Sequence, residues 1–141
     1  LVPLIIRVPD SLKKGATIPG SKSEGLVELV DLYPTLVDLC EIPPKPELQG
    51  RSLTPMLLDP ESNGKDFAYT VVSRGKELGR AIRTQRYRYT SWATGEELYD
   101  LVGDPSEETN LAKRANAEET IMQMRKNLDQ IDVMATAKNR R

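Results

Sequence analysis

Apolar residues along the chain change their spacing three times, and each change marks a different element. LVPLIIRVP (Leu1 to Pro9) is a nearly continuous branched apolar run, the signature of a strand buried on both faces. Such a strand needs a sheet with covering layers, which the rest of the chain does not obviously supply, so it points to a larger domain. Residues 10 to 23 form a polar loop broken by Gly15, Pro19 and Gly20. Leu26 to Val30 reads as a strand end. Leu32, Leu36, Leu39 and Cys40 then recur at helical spacing. Asp31 is placed to cap that helix, Pro34 is tolerated in its first turn, and it should stop before Pro43-Pro44. Gln49 to Leu58 reads as a turn and a short helix starting near Ser52. Residues 59 to 66 are a loop.

From Phe67 the period becomes two. FAYTVVS is strand-type, and Gly75 and Gly79 bracket a turn in RGKELG. Arg80 to Thr84 and Tyr87 to Trp92 form two strands joined by the two-residue loop Gln85-Arg86. Glu97 to Leu101 adds another strand, and Asp104-Pro105 opens a turn. Ala115 to Ala137 is a long helix with Ile121, Met124, Leu128 and Ile131 along one stripe. The KNRR end should fray. The fold class is therefore α+β: a small antiparallel sheet of about four strands with a long C-terminal helix, plus an N-terminal strand belonging to a larger domain. The expected divisions are 1–25 (last strand and loop of the larger domain), 26–66 (helix and connector) and 67–141 (sheet and helix).

Composition narrows the chemistry. The 141 residues carry a net charge of -1, which lacks the basic excess that nucleic acid requires. Hydrophobic residues make up 38%, enough for a thin core, with some apolar surface left for a neighbour. There is no histidine, hence no ordinary general base near neutral pH. The single cysteine, Cys40, rules out an internal disulfide and reads as a buried packing thiol inside LVDLC. No run approaches the roughly 20 apolar residues that span a bilayer. The start at Leu1, inside an apolar run and without a basic leader, reads as a fragment boundary rather than a signal peptide.

Three ordered stretches carry a family resemblance: VPLIIRVPD with LVELVDLYPTLVDLCEIPPKPELQGRSLTPML, then RAIRTQRYRYTSW, then ELYDLVGDPSEETNLA. Together they resemble the C-terminal part of sulfatases of the alkaline-phosphatase superfamily, most of all iduronate-2-sulfatases. The resemblance implies a large α/β domain bearing the active site and a smaller C-terminal sheet-and-helix subdomain packed on it. It implies Ca²⁺ and a formylglycine nucleophile in the full-length parent, a sulfated glycan substrate, and a periplasmic or secreted location. It implies no cofactor in this segment. The formylglycine motif is Cys/Ser-x-Pro-x-Arg, and neither Cys40-Glu41-Ile42-Pro43 nor Ser52-Leu53-Thr54-Pro55 matches it. No catalytic or metal-ligating residue is therefore assigned to this chain. Its expected partner is the N-terminal sulfatase domain, with no nucleic acid and no membrane. The alternative is a stand-alone α+β binding module related to sulfatases without catalysis.

Two basic features remain. Arg80, Arg83, Arg86 and Arg88 lie among Tyr87, Tyr89 and Trp92; the simpler reading pairs these arginines with the acidic segment Glu96 to Glu108, with Arg83 in an ion pair or hydrogen bond. The glycine-flanked loop Arg74 to Gly79 is the better candidate for a ligand, because exposed loops carry specificity. Arg74 and Lys76 are thus the expected substrate-binding residues, touching an anionic glycan. Asp104 and Glu107 read as turn-capping residues rather than metal ligands.

Overall fold

A computed structural model describes residues 3–12 and 19–138, with side chains described as far as residue 131. The KNRR end is mostly outside that range. Two compact units divide the chain, Leu1–Lys65 and Asp66–Arg141.

In the first unit, residues 3–9 form no strand, and Ile5 is 91% exposed. The N-terminal strand expected from composition is therefore not realised here. A strand exists only where a neighbouring strand takes up its amides and carbonyls, and no strand among the described residues pairs with 3–9. Leu26 makes a single antiparallel bridge to Lys65, and Leu29–Asp31 continues as a 3-10 turn rather than a strand end. Helix α1, Leu32–Leu39, follows directly, with Pro34 inside its first turn. It closes as expected before the prolines: Ile42 N–H donates to Val37 O (2.9 Å), Glu41 N–H donates to Asp38 O (3.2 Å), and Glu41 takes a positive φ of 56°. Helix α2, Thr54–Leu58, is the predicted short helix.

The inward face of α1 differs from the expected apolar stripe. Asp31, Thr35 and Leu39 are buried at i, i+4 and i+8, together with Val37, whereas Leu36 is 59% exposed and Cys40 is exposed. Cys40 is therefore not a packed core thiol. The cause is polar: the Thr35 hydroxyl donates to Asp31 O (2.6 Å) and accepts from Leu53 N–H (2.9 Å), which turns that side of the helix inward.

The second unit is a four-stranded antiparallel meander in the order β1 (Ala68–Arg74), β2 (Glu77–Arg83), β3 (Tyr87–Trp92), β4 (Gly95–Asp100). Each hairpin follows from local sequence. Gly75 supplies the positive φ (61°) at the start of the Gly75-Lys76 loop. Gln85-Arg86 is the loop of the second hairpin, closed by Thr84 N–H to Tyr87 O (2.8 Å) and by Tyr87 N–H to the Thr84 hydroxyl (2.9 Å). Glu77 to Gly79, read from sequence as turn, belongs to β2. Gly79 is there because the Trp92 ring lies against its backbone; a Cβ would stand 2.6 Å from the ring.

The register places Tyr69, Ile82, Tyr89 and Leu98 in one row across the sheet. Helix α3, Glu118–Lys138, follows a 3-10 turn at Ala115–Ala117 and lays Ile121, Met124 and Leu128 on that row. Ile82 and Leu98 are fully buried there. The segment after β4 explains its own asparagine. The Asn110 side chain accepts from Leu98 N–H (3.0 Å) and Ala112 N–H (2.9 Å) and donates to Glu96 O (3.2 Å), so it satisfies the outer edge of β4.

Candidate functional site

The two residues singled out as ligand-binding sit at one end of the meander. Arg74 closes β1 and faces Glu77 across the ladder; Lys76 is the second residue of the tight loop. The Arg74 guanidinium lies 4.5 Å over the centre of the Trp92 ring, and its Nη1 donates to Glu97 Oε1 at 3.3 Å. Its side chain remains 68% exposed. The neighbouring β3–β4 tip touches the same place, where the Thr94 hydroxyl donates to Glu77 Oε2 (3.4 Å). The structure thus brings Arg74 together with Trp92 and Glu97, neither of which the sequence assigned to the tip.

Two arginines of the basic cluster make structural contacts. Arg86 grips Asp100 with Nη2 at 2.9 Å and lowers its carboxyl pKa, and Arg88 pairs with Glu107 while lying over Tyr99 at 5.0 Å. Arg86 and Arg88 thus pair with the acidic segment, as expected of the cluster. Arg83 departs from it: its Nε is buried without a partner among the described residues, and it stands opposite Arg88 in the ladder, which takes Glu107 for itself. Arg83 Nε, Arg88 Nε, Thr90 Oγ1 and Trp92 Nε1, the buried unpaired side-chain atoms described, all belong to the sheet face turned away from α3. Asp104 caps its turn, its Oδ2 accepting from Thr109 N–H at 2.8 Å.

On the helix-facing side, Glu96 is a clamp. It accepts the Tyr89 hydroxyl and takes Arg125 from α3 at Nε (2.6 Å) and at Nη2. Burial and the neighbouring carboxylate push the Tyr89 phenol up to about 12. Arg125 holds Glu96 below its ordinary value of 4.5. A carboxylate lowered by folding adds stability above its unfolded pKa and loses it as pH falls through the folded one. We expect the stability difference between the wild type and Glu96→Gln to shrink steadily between about pH 5 and pH 3 in denaturant titrations; a constant difference across that range would contradict the clamp.

The first unit holds a node that sequence reasoning assigned only as a helix cap. The Asp31 side chain makes no capping bond to α1. Fully buried, it accepts Glu28 N–H (2.8 Å) and Arg51 N–H (2.8 Å) and pairs with Lys65 Nζ at 2.6 Å, while Lys65 also meets Glu28. Burial opposes the Lys65 ammonium, but the two carboxylates outweigh it and raise its pKa. Gly50 makes the close approach possible, since a Cβ there would stand 2.0 Å from Val30 O. An aspartate inside the apolar run LVELVDLYPTL is the signal that could have revealed the node. Among the described residues, no three His, Cys, Asp or Glu side chains assemble as a metal site. The donor set for the Ca²⁺ implied by the resemblance is thus not found among them.

The architecture has close counterparts. The solved structure of a 2-O GAG sulfatase superposes with a TM-score of 0.68 at 33% identity, covering 78% of this chain and 25% of that one. The family model for the N-sulphoglucosamine sulphohydrolase C-terminal region matches residues 1–134, and the chain belongs to that family. A Delta 4,5-hexuronate-2-O-sulfatase of Bacteroides thetaiotaomicron is 39% identical over 108 residues, 71% of this chain and 22% of the relative. An arylsulfatase of Clostridium perfringens is 33% identical over 127 residues, 89% of this chain and 26% of the relative. The chain thus spans about a quarter of the length of these curated relatives. It corresponds to a C-terminal portion of a sulfatase, and its α+β fold, four-stranded sheet and closing helix are those of that portion.

Proposed function

We propose that this chain is the C-terminal subdomain of an enzyme that hydrolyses sulfate esters of a glycan, with a 2-O-sulfated uronate as the substrate class. The observation that carries the reading is the family match along residues 1–134, together with relatives about four times as long. The nucleophile, taken as formylglycine, and the Ca²⁺ that would stabilise charge on the transferring sulfate come from the rest of the enzyme. The subdomain is a scaffold for that chemistry, in an exported protein. Its partner is the larger sulfatase domain, and two features of the first unit support this. Leu29, Tyr33 and Leu36 form an outward apolar stripe at i, i+4 and i+7, a face that a helix shows when it is covered on both sides. The run around Ile5 carries strand-type residues with no strand beside them among the described residues.

In the second unit, Arg74 and Lys76 at the exposed loop are the glycan contacts. The test is steady-state hydrolysis of a 2-O-sulfated unsaturated disaccharide by the full-length enzyme carrying this chain. We expect turnover, and for the Arg74→Ala/Lys76→Ala double variant a KM raised about tenfold or more, as loss of charge-assisted hydrogen bonds to an anion demands. An unchanged KM would remove the loop from the substrate site. Absence of turnover by the wild-type enzyme would leave the stand-alone binding module instead.

A further inference from the structure

The meander's tip is built so that one arginine is held in place while most of its donors stay open. Two contacts converge on Arg74, and a glycine supports one of them. Gly79, lacking a side chain, lets the Trp92 ring settle against the β2 backbone. Arg74 lies 4.5 Å over the ring centre, a cation–π contact that restrains the guanidinium at the face of the indole. Glu97 takes one terminal nitrogen, Nη1, at 3.3 Å. A guanidinium has five N–H donors in a rigid fork. With one nitrogen engaged and the side chain 68% exposed, the remaining edge faces solvent. Bulk charge does not account for this arrangement, because Arg74 and Lys76 are offset by Glu77 and Glu97. What the tip offers is donor geometry, a fork suited to two oxygens of a sulfate or a carboxylate.

We infer that Trp92 and Glu97 are positioning residues that pre-orient Arg74 as a bidentate anion clamp for the sulfated or carboxylated sugar, with Gly79 as the shelf under Trp92. The inference rests on the reading of Arg74 as a glycan contact and adds the residues that make the contact specific. Pre-orientation spares the substrate the rotamer entropy of ordering a long side chain.

Opposite signs separate the clamp from a bare charge. Removing Glu97 deletes a negative group beside the anion, so a merely electrostatic tip binds more tightly in Glu97→Ala. A clamp that has lost its brace binds more weakly. The experiment measures kcat and KM of the full-length enzyme on a 2-O-sulfated unsaturated disaccharide for Arg74→Ala, Glu97→Ala, Trp92→Leu and Trp92→Phe, with thermal midpoints to show that each variant is folded. We expect KM to rise about tenfold in Arg74→Ala and about threefold in Glu97→Ala and Trp92→Leu, with kcat changed by less than about twofold. Trp92→Phe, which keeps a ring face, should restore KM to within about twofold of the wild type. If Arg74→Ala raises KM while Glu97→Ala lowers it or leaves it alone, the positioning role is overturned and the glycan contact stands. If Arg74→Ala itself leaves KM unchanged, the contact and the clamp fall together. Glu97→Ala keeps the inference falsifiable should Trp92→Leu not fold.

Discussion

Asp31→Ala is expected to destabilise the first unit by about 3–5 kcal/mol, the cost of breaking a buried charged pair by removing one partner. The variant strands the Lys65 ammonium beside Glu28 alone and leaves the Glu28 and Arg51 amides without their acceptor. Those two amides lie on either side of α1 in sequence, so the carboxylate ties the entry of the helix to the segment that leads into α2. Asp31→Asn keeps the volume and one acceptor oxygen and should cost less. Chemical denaturation followed by far-ultraviolet circular dichroism measures both; a loss below about 1 kcal/mol for the alanine variant would mean that water replaces the carboxylate at no great cost.

Leu98→Ala should cost the second unit about 2–5 kcal/mol, because the site is fully enclosed and the surrounding row cannot collapse into the space. Leu98 is 0% exposed, and its row partners Tyr89 and Ile82 are fixed by ladder hydrogen bonds on one side and by Met124 and Leu128 of α3 on the other. The control is Val102→Ala, at a position 71% exposed, where a change within about 0.5 kcal/mol is expected. Trp92 is the chain's one tryptophan and lies in β3, so its fluorescence reports the melting of this sheet directly. Equal losses in the two variants would show that the row is not the core of the unit.

Much of the second unit was legible because its signals are local. The alternation of Tyr87 to Trp92 and the tight loop before it fixed β3 to the residue. The 3.6-residue stripe Ile121, Met124, Leu128 named the buried face of α3. Where partners lie far apart in sequence, the pattern was silent or misleading. The run at Leu1 to Pro9 has strand composition, but its described part, residues 3–9, forms no strand. In α1 apolar residues occupy two faces, so periodicity could not choose between them; hydrogen bonds through Asp31 and Thr35 decide the matter, and they leave Leu36 and Cys40 outside. At the candidate site, glycine flanks and exposure pointed to Arg74 and Lys76. The brace from Glu97 spans 23 residues and depends on the register of three hairpins, which composition does not encode.

The order β1-β2-β3-β4 has a kinetic consequence. Each strand pairs with the one just before it in the chain, and the loops between them are two or three residues long. Closing such loops costs little entropy, so the ladder can grow hairpin by hairpin without a search for distant partners. Helix α3 follows the meander in the chain and carries the apolar stripe that seals the row. During synthesis the open meander would therefore wait with Ile82, Tyr89 and Leu98 uncovered until that helix emerges, and this interval is when the nascent chain is most exposed to misassociation.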